Sequence, residues 1–317
     1  MRAKARSNHG SGSETGSADR TFCIDGHILT APKATPGLHL VATPIGNLAD
    51  ITLRALQTLA GVDLIACEDT RITHRLTDRY GISAQLSPYH EHNAAMVRPK
   101  ILAMLGRGAA VALVSDAGTP LISDPGFKLV REASAAGHPV VAVPGPSSVL
   151  SALTVAALPT DRFFFEGFLP SRQFARRARL TELARIDTTL VLFESGNRVQ
   201  DALADLAEIM GDREAAICRE MTKLHEQTIR ATLAELARGR DTLETRGEFV
   251  LVIGPPAAND KAMSEDELDS LLRDTLRRDS VKDAVAHAVE MSGRPRREVY
   301  ARALALAKES SAAHGED

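Results

Sequence analysis

Four short apolar runs constrain this chain more than any other feature. "LHLVAT" (38–43), "VDLIAC" (62–67), "AAVALVS" (109–115) and "HPVVAV" (138–143) are each followed by a polar or Gly/Pro-rich loop, and each loop leads into residues of helical period. Strand, loop and helix in that repeating order predict a parallel α/β sheet. The first helix is expected over 51–60 with Asp50 as its N-cap. A further helix near 72–79, a short strand near 84–87 and a helix over 93–105 follow, with Pro99 marking a first turn or a kink in the last.

The second half has a different rhythm. "RFFFEGFLP" (162–170) runs from a strand into a Gly/Pro hinge, and "TTLVLFES" (188–195), "REAAICRE" (213–220), "HEQTIRATL" (225–233) and "GEFVLVIG" (247–254) read as strands among helices. Antiparallel pairing is expected there. Beyond the linker "PPAANDKAM", three short helices are expected, with Ser264 and Glu267 as a capping box and Pro295 at a helix N1 position. The predicted organisation is a disordered tail over 1–36, α/β domains over 37–166 and 167–255, and a linker with a helical module over 256–317.

Composition narrows the function classes. A chain of 317 residues allows about two domains, and a net charge of −3 excludes a globally basic nucleic-acid coat. Three scattered cysteines fit a reduced, cytoplasmic protein and argue against a disulfide framework or zinc knuckle. No apolar run approaches the ~18 residues of a membrane span, and the first twenty residues lack the apolar core of a secretory signal.

In an open parallel sheet, ligands bind beyond the carboxyl ends of the strands. The loops there are "TPIGNLAD", "CEDTR", "SDAGTPLISDPG" and "PGPSS". None is a phosphate-binding GxxxxGK[ST] loop, and the first domain has no GxGxxG. In the third loop Gly118 and the prolines allow close backbone approach, Asp116 and Asp124 supply acceptors, and no cation is present. That polarity suits a ligand with amines, hydroxyls or positive charge, which S-adenosylmethionine (SAM) carries. The same residues also serve as plain turn residues and caps.

Glu68, Asp69 and Arg71 in "CEDTR" are candidates for proton transfer and phosphate contact, or for a carboxylate–Arg pair that only caps a helix. "HEHN" (90–93) lacks the spacing of a zinc site, so no metal is expected. Arg172, Arg176, Arg177, Arg179 and Arg185 make a basic helix, and Arg294, Arg296 and Arg297 a second cluster. Each is an RNA contact or a solvated face. Glu220 and Lys223 in "REMTK" pair, or Lys223 neutralises phosphate.

The ordered motifs "LVATPIGNLADIT", "LIACEDTR", "LVSDAGTPLISDPG", "VVAVPGPSS", "PTDRFFFEGFLP" and "REMTK" carry a resemblance. Over roughly 38–254, and more loosely in the C-terminal helices, the chain resembles the bacterial small-subunit ribosomal RNA methyltransferases of the tetrapyrrole (precorrin-type) methylase superfamily. The resemblance implies two α/β domains with SAM in the cleft between them, a homodimer, and 2′-O-methylation of a cytidine in the decoding region of 16S rRNA within the small ribosomal subunit. Carried over by motif, Pro44 and Gly46, then Ser115, Asp116, Ala117, Gly118, Thr119 and Ile122, then Pro144, Gly145 and Ser147, and finally Leu169, Phe193 and Glu194 hold SAM. Arg172, Arg176, Arg177, Lys223, Arg296 and Arg297 are the expected RNA contacts.

Two departures stand out. "TPIGNLAD" replaces the GxGxGD loop usual in precorrin methylases, which points away from porphyrinoid substrates. "FESGNR" stands where the rRNA branch usually reads closer to "YESPHR", and Asn197 cannot take a proton near neutral pH. The alternatives are a small-molecule SAM methylase, which needs neither Arg-rich helix nor helical tail, and a non-catalytic RNA-binding assembly protein, which would have lost SAM binding.

Overall fold

In the computed structural model, which describes residues 20–256 and 265–313, the chain starts with a β-hairpin. Its strands are β1 (Thr21–Ile24) and β2 (His27–Thr30). Asp25 and Gly26 turn it, both with positive φ (48° and 82°), as a two-residue hairpin turn requires. Phe22 is 2% exposed in the first core, and the Cys23 N–H donates to the Tyr80 carbonyl at 2.7 Å. The expected tail over 1–36 is therefore corrected for 20–36, because a single buried aromatic and one turn tie this segment down. Residues 1–19 lie outside the described residues.

Next come β3 (Gly37–Val41), α1 (Leu53–Gly61), β4 (Leu64–Cys67), α2 (Thr70–Arg79) and β5 (Leu86–Pro88). α3 (Ala94–Gly106), β6 (Ala110–Val114), α4 (Phe127–Ala135), β7 (Val140–Val143) and α5 (Ser148–Ala156) complete the series. The strands form a parallel sheet in the order β5-β4-β6-β3-β7. Ile65 and Cys67 of β4 enter one core with Leu56, Leu59 and Leu76, while Leu64 and Ala66 enter another with Ile101, Leu113 and Leu129. Both faces are covered, which is why the strands read as unbroken apolar runs.

Two local expectations need correcting. Thr52, not Asp50, caps α1, accepting from the Ala55 N–H at 3.1 Å; Asp50 closes a short 3-10 turn over Leu48–Asp50 instead. Pro99 lies inside α3, which removes the first of its two alternatives, the first turn.

The second sheet contains β8 (Phe163–Phe168), β9 (Thr189–Ser195), β10 (Glu214–Arg219), β11 (Gln227–Thr232) and β12 (Glu248–Ile253) in the order β11-β10-β12-β9-β8. Only β8 and β9 run parallel; the other pairs are antiparallel. α6 (Gln173–Leu183), α7 (Val199–Met210) and α8 (Leu233–Arg238) accompany it, and Leu180, Leu183, Leu203, Leu206 and Leu236 bury one face. α5 covers the other face, through Ala152 and Leu153 against Val191, Val250 and Val252. The change of sheet comes before the expected 166/167 line, which falls inside β8.

α9 (Glu265–Leu276), α10 (Val281–Ser292) and α11 (Arg296–Ala313) build a helical module around Leu268, Leu272, Val285, Val299 and Leu306, with Asp269 paired to Arg302. The Pro295 carbonyl accepts from the Val299 N–H at 3.2 Å, so this proline caps α11 rather than opening its first turn. Ser264 and most of the linker lie outside the described residues.

Candidate functional site

In the first sheet the strand order reverses between β3 and β6. The connection after β3 runs to β4 on one side, and that after β6 runs to β7 on the other, so the loops part and leave a crevice. A cleft of about 350 Å³ lies there, facing the second sheet.

One wall is knitted from loops of the first sheet. Thr43 and Gly118 bridge through paired backbone hydrogen bonds of 2.9 and 3.0 Å, the Thr43 hydroxyl donates to the Ser115 carbonyl, and the Thr119 hydroxyl donates to the Pro146 carbonyl. Gly118 has φ 79°, which favours glycine, and Leu121 and Ser123 share the left-handed region at 74° and 65°. For a bulky residue such as Leu121 that conformation is strained, and such strain concentrates at functional loops. Ala117, Gly118, Thr119, Ile122, Asp124 and Ser147 line the cleft from this side. Ser147 also caps α5.

The opposite wall comes from the second sheet: Phe168, Phe193, Glu194, Met221, Lys223 and the residues 247–250. Gly46 joins the walls. A side chain there would meet Lys223 Cγ at 2.5 Å and Thr222 Oγ1 at 2.9 Å, while the Asn47 N–H donates to Thr222 Oγ1 at 3.1 Å. Gly46 therefore sets how closely the two sheets approach.

The remaining expected cofactor residues sit behind the lining. Ser115 is buried, and its hydroxyl donates to the Ala117 carbonyl at 3.2 Å. Asp116 accepts from the Asp69 N–H at 3.0 Å. Pro144 and Gly145 follow β7, with Gly145 resting on Ala42. The Leu169 side chain enters the second core and only its carbonyl is used, accepting from Arg198 at 2.6 Å. Placement in the cleft wall is thus observed for Ala117, Gly118, Thr119, Ile122, Ser147, Phe193 and Glu194, but not for Pro44, Ser115, Asp116, Pro144, Gly145 or Leu169.

The three "CEDTR" candidates part company. Asp69 caps α2 and is bonded to Arg71; those bonds hold its carboxyl down at about 2. Arg71 is 87% exposed, so the pair caps the helix and leaves the guanidinium at the surface. Glu68 behaves differently. Burial pushes its carboxyl up, and the charges of Asp116 and Asp124 push it further. Burial also raises Asp116 and Asp124, although the Asp69 N–H restrains the first and Ser115 the second.

The RNA-contact expectations also need correcting. Arg176 is 3% exposed and paired to Asp205 at 2.7 Å; Arg177 is shared between Asp205 and Glu208. Carboxylates on α7 neutralise that face of α6, which charge counting along one helix does not reveal. Lys223 lines the cleft but is held by Glu220 at 2.9 Å and Glu248 at 2.7 Å. Burial works against its ammonium, but the two carboxylates outweigh burial and raise it. Arg172, Arg296 and Arg297 are exposed.

Sequence reasoning missed Phe168, Met221 and Glu248 as lining residues. The "GFLP" hinge was the available signal for the first. Gly196 has a local reason to be glycine, since a side chain there would fall 1.6 Å from the Thr245 carbonyl oxygen. His90 and His92 pack edge to face, and no group of three His, Cys, Asp or Glu among the described residues could hold a metal ion. No helix among the described residues is long and apolar enough to cross a membrane.

This donor set suits a cation. Glu194 is buried, with Oε1 held by the Ser195 N–H at 2.8 Å and ion-paired to Arg198 Nε at 3.3 Å, and Oε2 without a hydrogen-bond partner among the described residues. Asp124 stands in the opposite wall, and Lys223, the one cation of the lining among the described residues, is already doubly paired. A sulfonium with an amino-acid head fits such a cleft; a polyphosphate does not.

Comparison with known proteins agrees. The family profile of tetrapyrrole (corrin/porphyrin) methylases matches residues 37–237, and that of the RsmI C-terminal HTH domain matches residues 262–307. A relative from Mesorhizobium japonicum, named ribosomal RNA small subunit methyltransferase I, is 47% identical over 90% of this chain and 98% of its own length. One of the same name from Escherichia coli O157:H7 is 43% identical over 87% of this chain and 97% of its own. Among solved structures, a cobalt precorrin-4 methyltransferase shares the fold at TM-score 0.52 and 19% identity, covering 68% of this chain and 94% of that one. A diphthine synthase does so at TM-score 0.55 and 15% identity, covering 68% and 89%. The chain belongs to the tetrapyrrole methylase family and, within it, to the ribosomal RNA small subunit methyltransferase I branch.

Proposed function

We propose that the chain is a SAM-dependent methyltransferase that modifies the 2′-hydroxyl of a cytidine in the decoding region of 16S rRNA, acting on the small ribosomal subunit in the cytoplasm as a homodimer. The observation that carries this reading is the match to nearly the whole length of a relative bearing the small-subunit rRNA methyltransferase name, cleft loops and helical module included.

SAM supplies an activated methyl group on a sulfonium. The chain's own contribution is alignment, since in-line displacement depends on placing oxygen, methyl and sulfur in one line. The loop 115–119 and the start of α5 form the side on which the donor is held. The apolar residues Ile45, Phe193 and Met221 line the space between the walls. Asp124 provides negative charge where the cation is bound, and Glu194, its charge already met by Arg198, offers its second carboxylate oxygen as an acceptor. Arg172, Arg296 and Arg297 remain the exposed candidates for phosphate contact.

The test uses purified protein, methyl-tritiated SAM and small subunits lacking the modification. One 2′-O-methylcytidine in the decoding region, located by nuclease digestion and mass spectrometry, is the expected product. Unlabelled RNA with calorimetric binding of S-adenosylhomocysteine intact would overturn the acceptor. Absence of that binding would overturn the methyltransferase reading itself.

A further inference from the structure

We propose that Phe168 is a stacking platform for an unpaired nucleobase of the RNA substrate, an inference that rests on the RNA-methylation reading above. The strand that carries it is built irregularly. β8 and β9 pair in register at Phe165↔Val191, then resume at Gly167↔Leu192 and Phe168↔Phe193, so Glu166 is an extra residue on β8. Gly167 takes up the bulge with φ 77°.

A bulge of one residue reverses which face the following side chains occupy. Phe165 lies on the α5 side of the sheet. Regular alternation would turn Phe168 to the opposite face, into the core under α6 and α7. The bulge brings it back to the cleft side, and Leu169 takes the core position instead. The sequence thus gives a buried site to Leu169 and leaves Phe168, a larger apolar group, 56% exposed in the cleft wall.

The ring is also held rigidly. Phe165 and Phe193 pack edge to face with centroids 4.9 Å apart, and Phe193 and Phe168 repeat the arrangement at 5.5 Å. This ladder runs from the core to the cleft and fixes the outermost ring without hiding it. A preset exposed phenyl ring suits a flat aromatic partner. A ribose hydroxyl within folded RNA becomes accessible when its nucleotide is splayed out, and the unstacked base then needs a surface to replace its lost neighbours. Stacking on an aromatic side chain meets that need without demanding one particular base.

The test measures acceptor and donor separately. With small subunits lacking the modification, Phe168→Ala should raise KM for the subunit about tenfold or more. Phe168→Tyr should stay near the wild type, and both variants should bind S-adenosylhomocysteine as the wild type does. The chain contains no tryptophan, so Phe168→Trp creates a sole reporter. A cytidine-containing single-stranded oligoribonucleotide should quench its emission, and the same strand with an abasic site in place of the cytidine should not.

Three results would overturn the proposal. Weaker S-adenosylhomocysteine binding by Phe168→Ala would assign the ring to the cofactor. An unchanged KM with lost self-association in sedimentation would assign it to a second copy of the chain. Equal quenching by the abasic strand would reduce it to a bystander of phosphate attraction. Failure of the wild type to bind S-adenosylhomocysteine or to label RNA belongs to the earlier reading and is seen without any Phe168 variant.

Discussion

Buried carboxyls at and behind the cleft wall cost stability near neutral pH. Glu68, Asp116 and Asp124 crowd the ends of β4 and β6, and burial raises all three carboxyls. A carboxyl raised in the folded state binds its proton more readily folded than unfolded. Its contribution therefore favours folding at low pH and falls away as pH rises above the ordinary carboxyl range. Glu68→Gln removes one of these charges and should raise the melting temperature by about 2 °C near neutral pH. By about pH 4.5 that gain should shrink, which scanning calorimetry at the two pH values would check. Asp69 runs the other way. Its carboxyl, at about 2, adds stability above the ordinary range that is lost as pH falls through it. Two adjacent acidic residues of similar appearance in the sequence thus have opposite pH signs, because one meets buried carboxylates and the other meets Arg71 and a helix end. That distinction is not legible in "CEDTR". The position of the loop was legible, since strand ends in a parallel sheet announce themselves by composition.

At the scale of the element, the helix that looks most like an RNA-binding surface is largely a packing device. Arg176 is buried against Asp205, and removing it leaves that buried carboxylate with Arg177 alone, which keeps the loss at the low end for a broken buried pair. Arg176→Ala should cost about 3 kcal/mol in denaturant unfolding, while a paired Arg176→Met and Asp205→Leu replacement should recover most of it. Neither change should alter the salt dependence of RNA binding; a loss there would return this residue to the interface. The basic run was readable, but its partners lie on α7 about thirty residues later, beyond what local charge patterning reaches. The N-terminal hairpin failed to be read for a different reason. Its signal was present, an Asp-Gly pair between "TFCI" and "HILT", and it was short enough to be lost beside a long polar tail.

For the whole molecule, exposed basic residues extend beyond the cleft. Arg296 and Arg297 lie exposed at the start of α11, in a module with its own core. Replacing both with Ala should leave S-adenosylhomocysteine binding intact. It should weaken subunit binding and lower the slope of log affinity against log salt by about one per lost phosphate contact. An unchanged slope would show that the module docks on protein or only packs. The helices themselves were readable from their period, whereas their use depends on a partner surface the chain does not contain.

α5 has one further consequence. By chain order it ends the first sheet's series, yet its apolar side seals the second sheet, and Ile45 from the loop after β3 shares that same cluster. The second sheet cannot keep one face covered without α5, a helix that the chain delivers from the end of the first sheet's series. Two sheets in sequence suggest two melting events; the shared helix predicts instead that residues 20–256 melt as one cooperative unit. In calorimetry this region should give one endotherm whose van't Hoff and calorimetric enthalpies agree, with the small helical module melting apart from it. Heat damage to the enzyme should therefore be all-or-none, with no half-folded form in which one wall of the cleft survives.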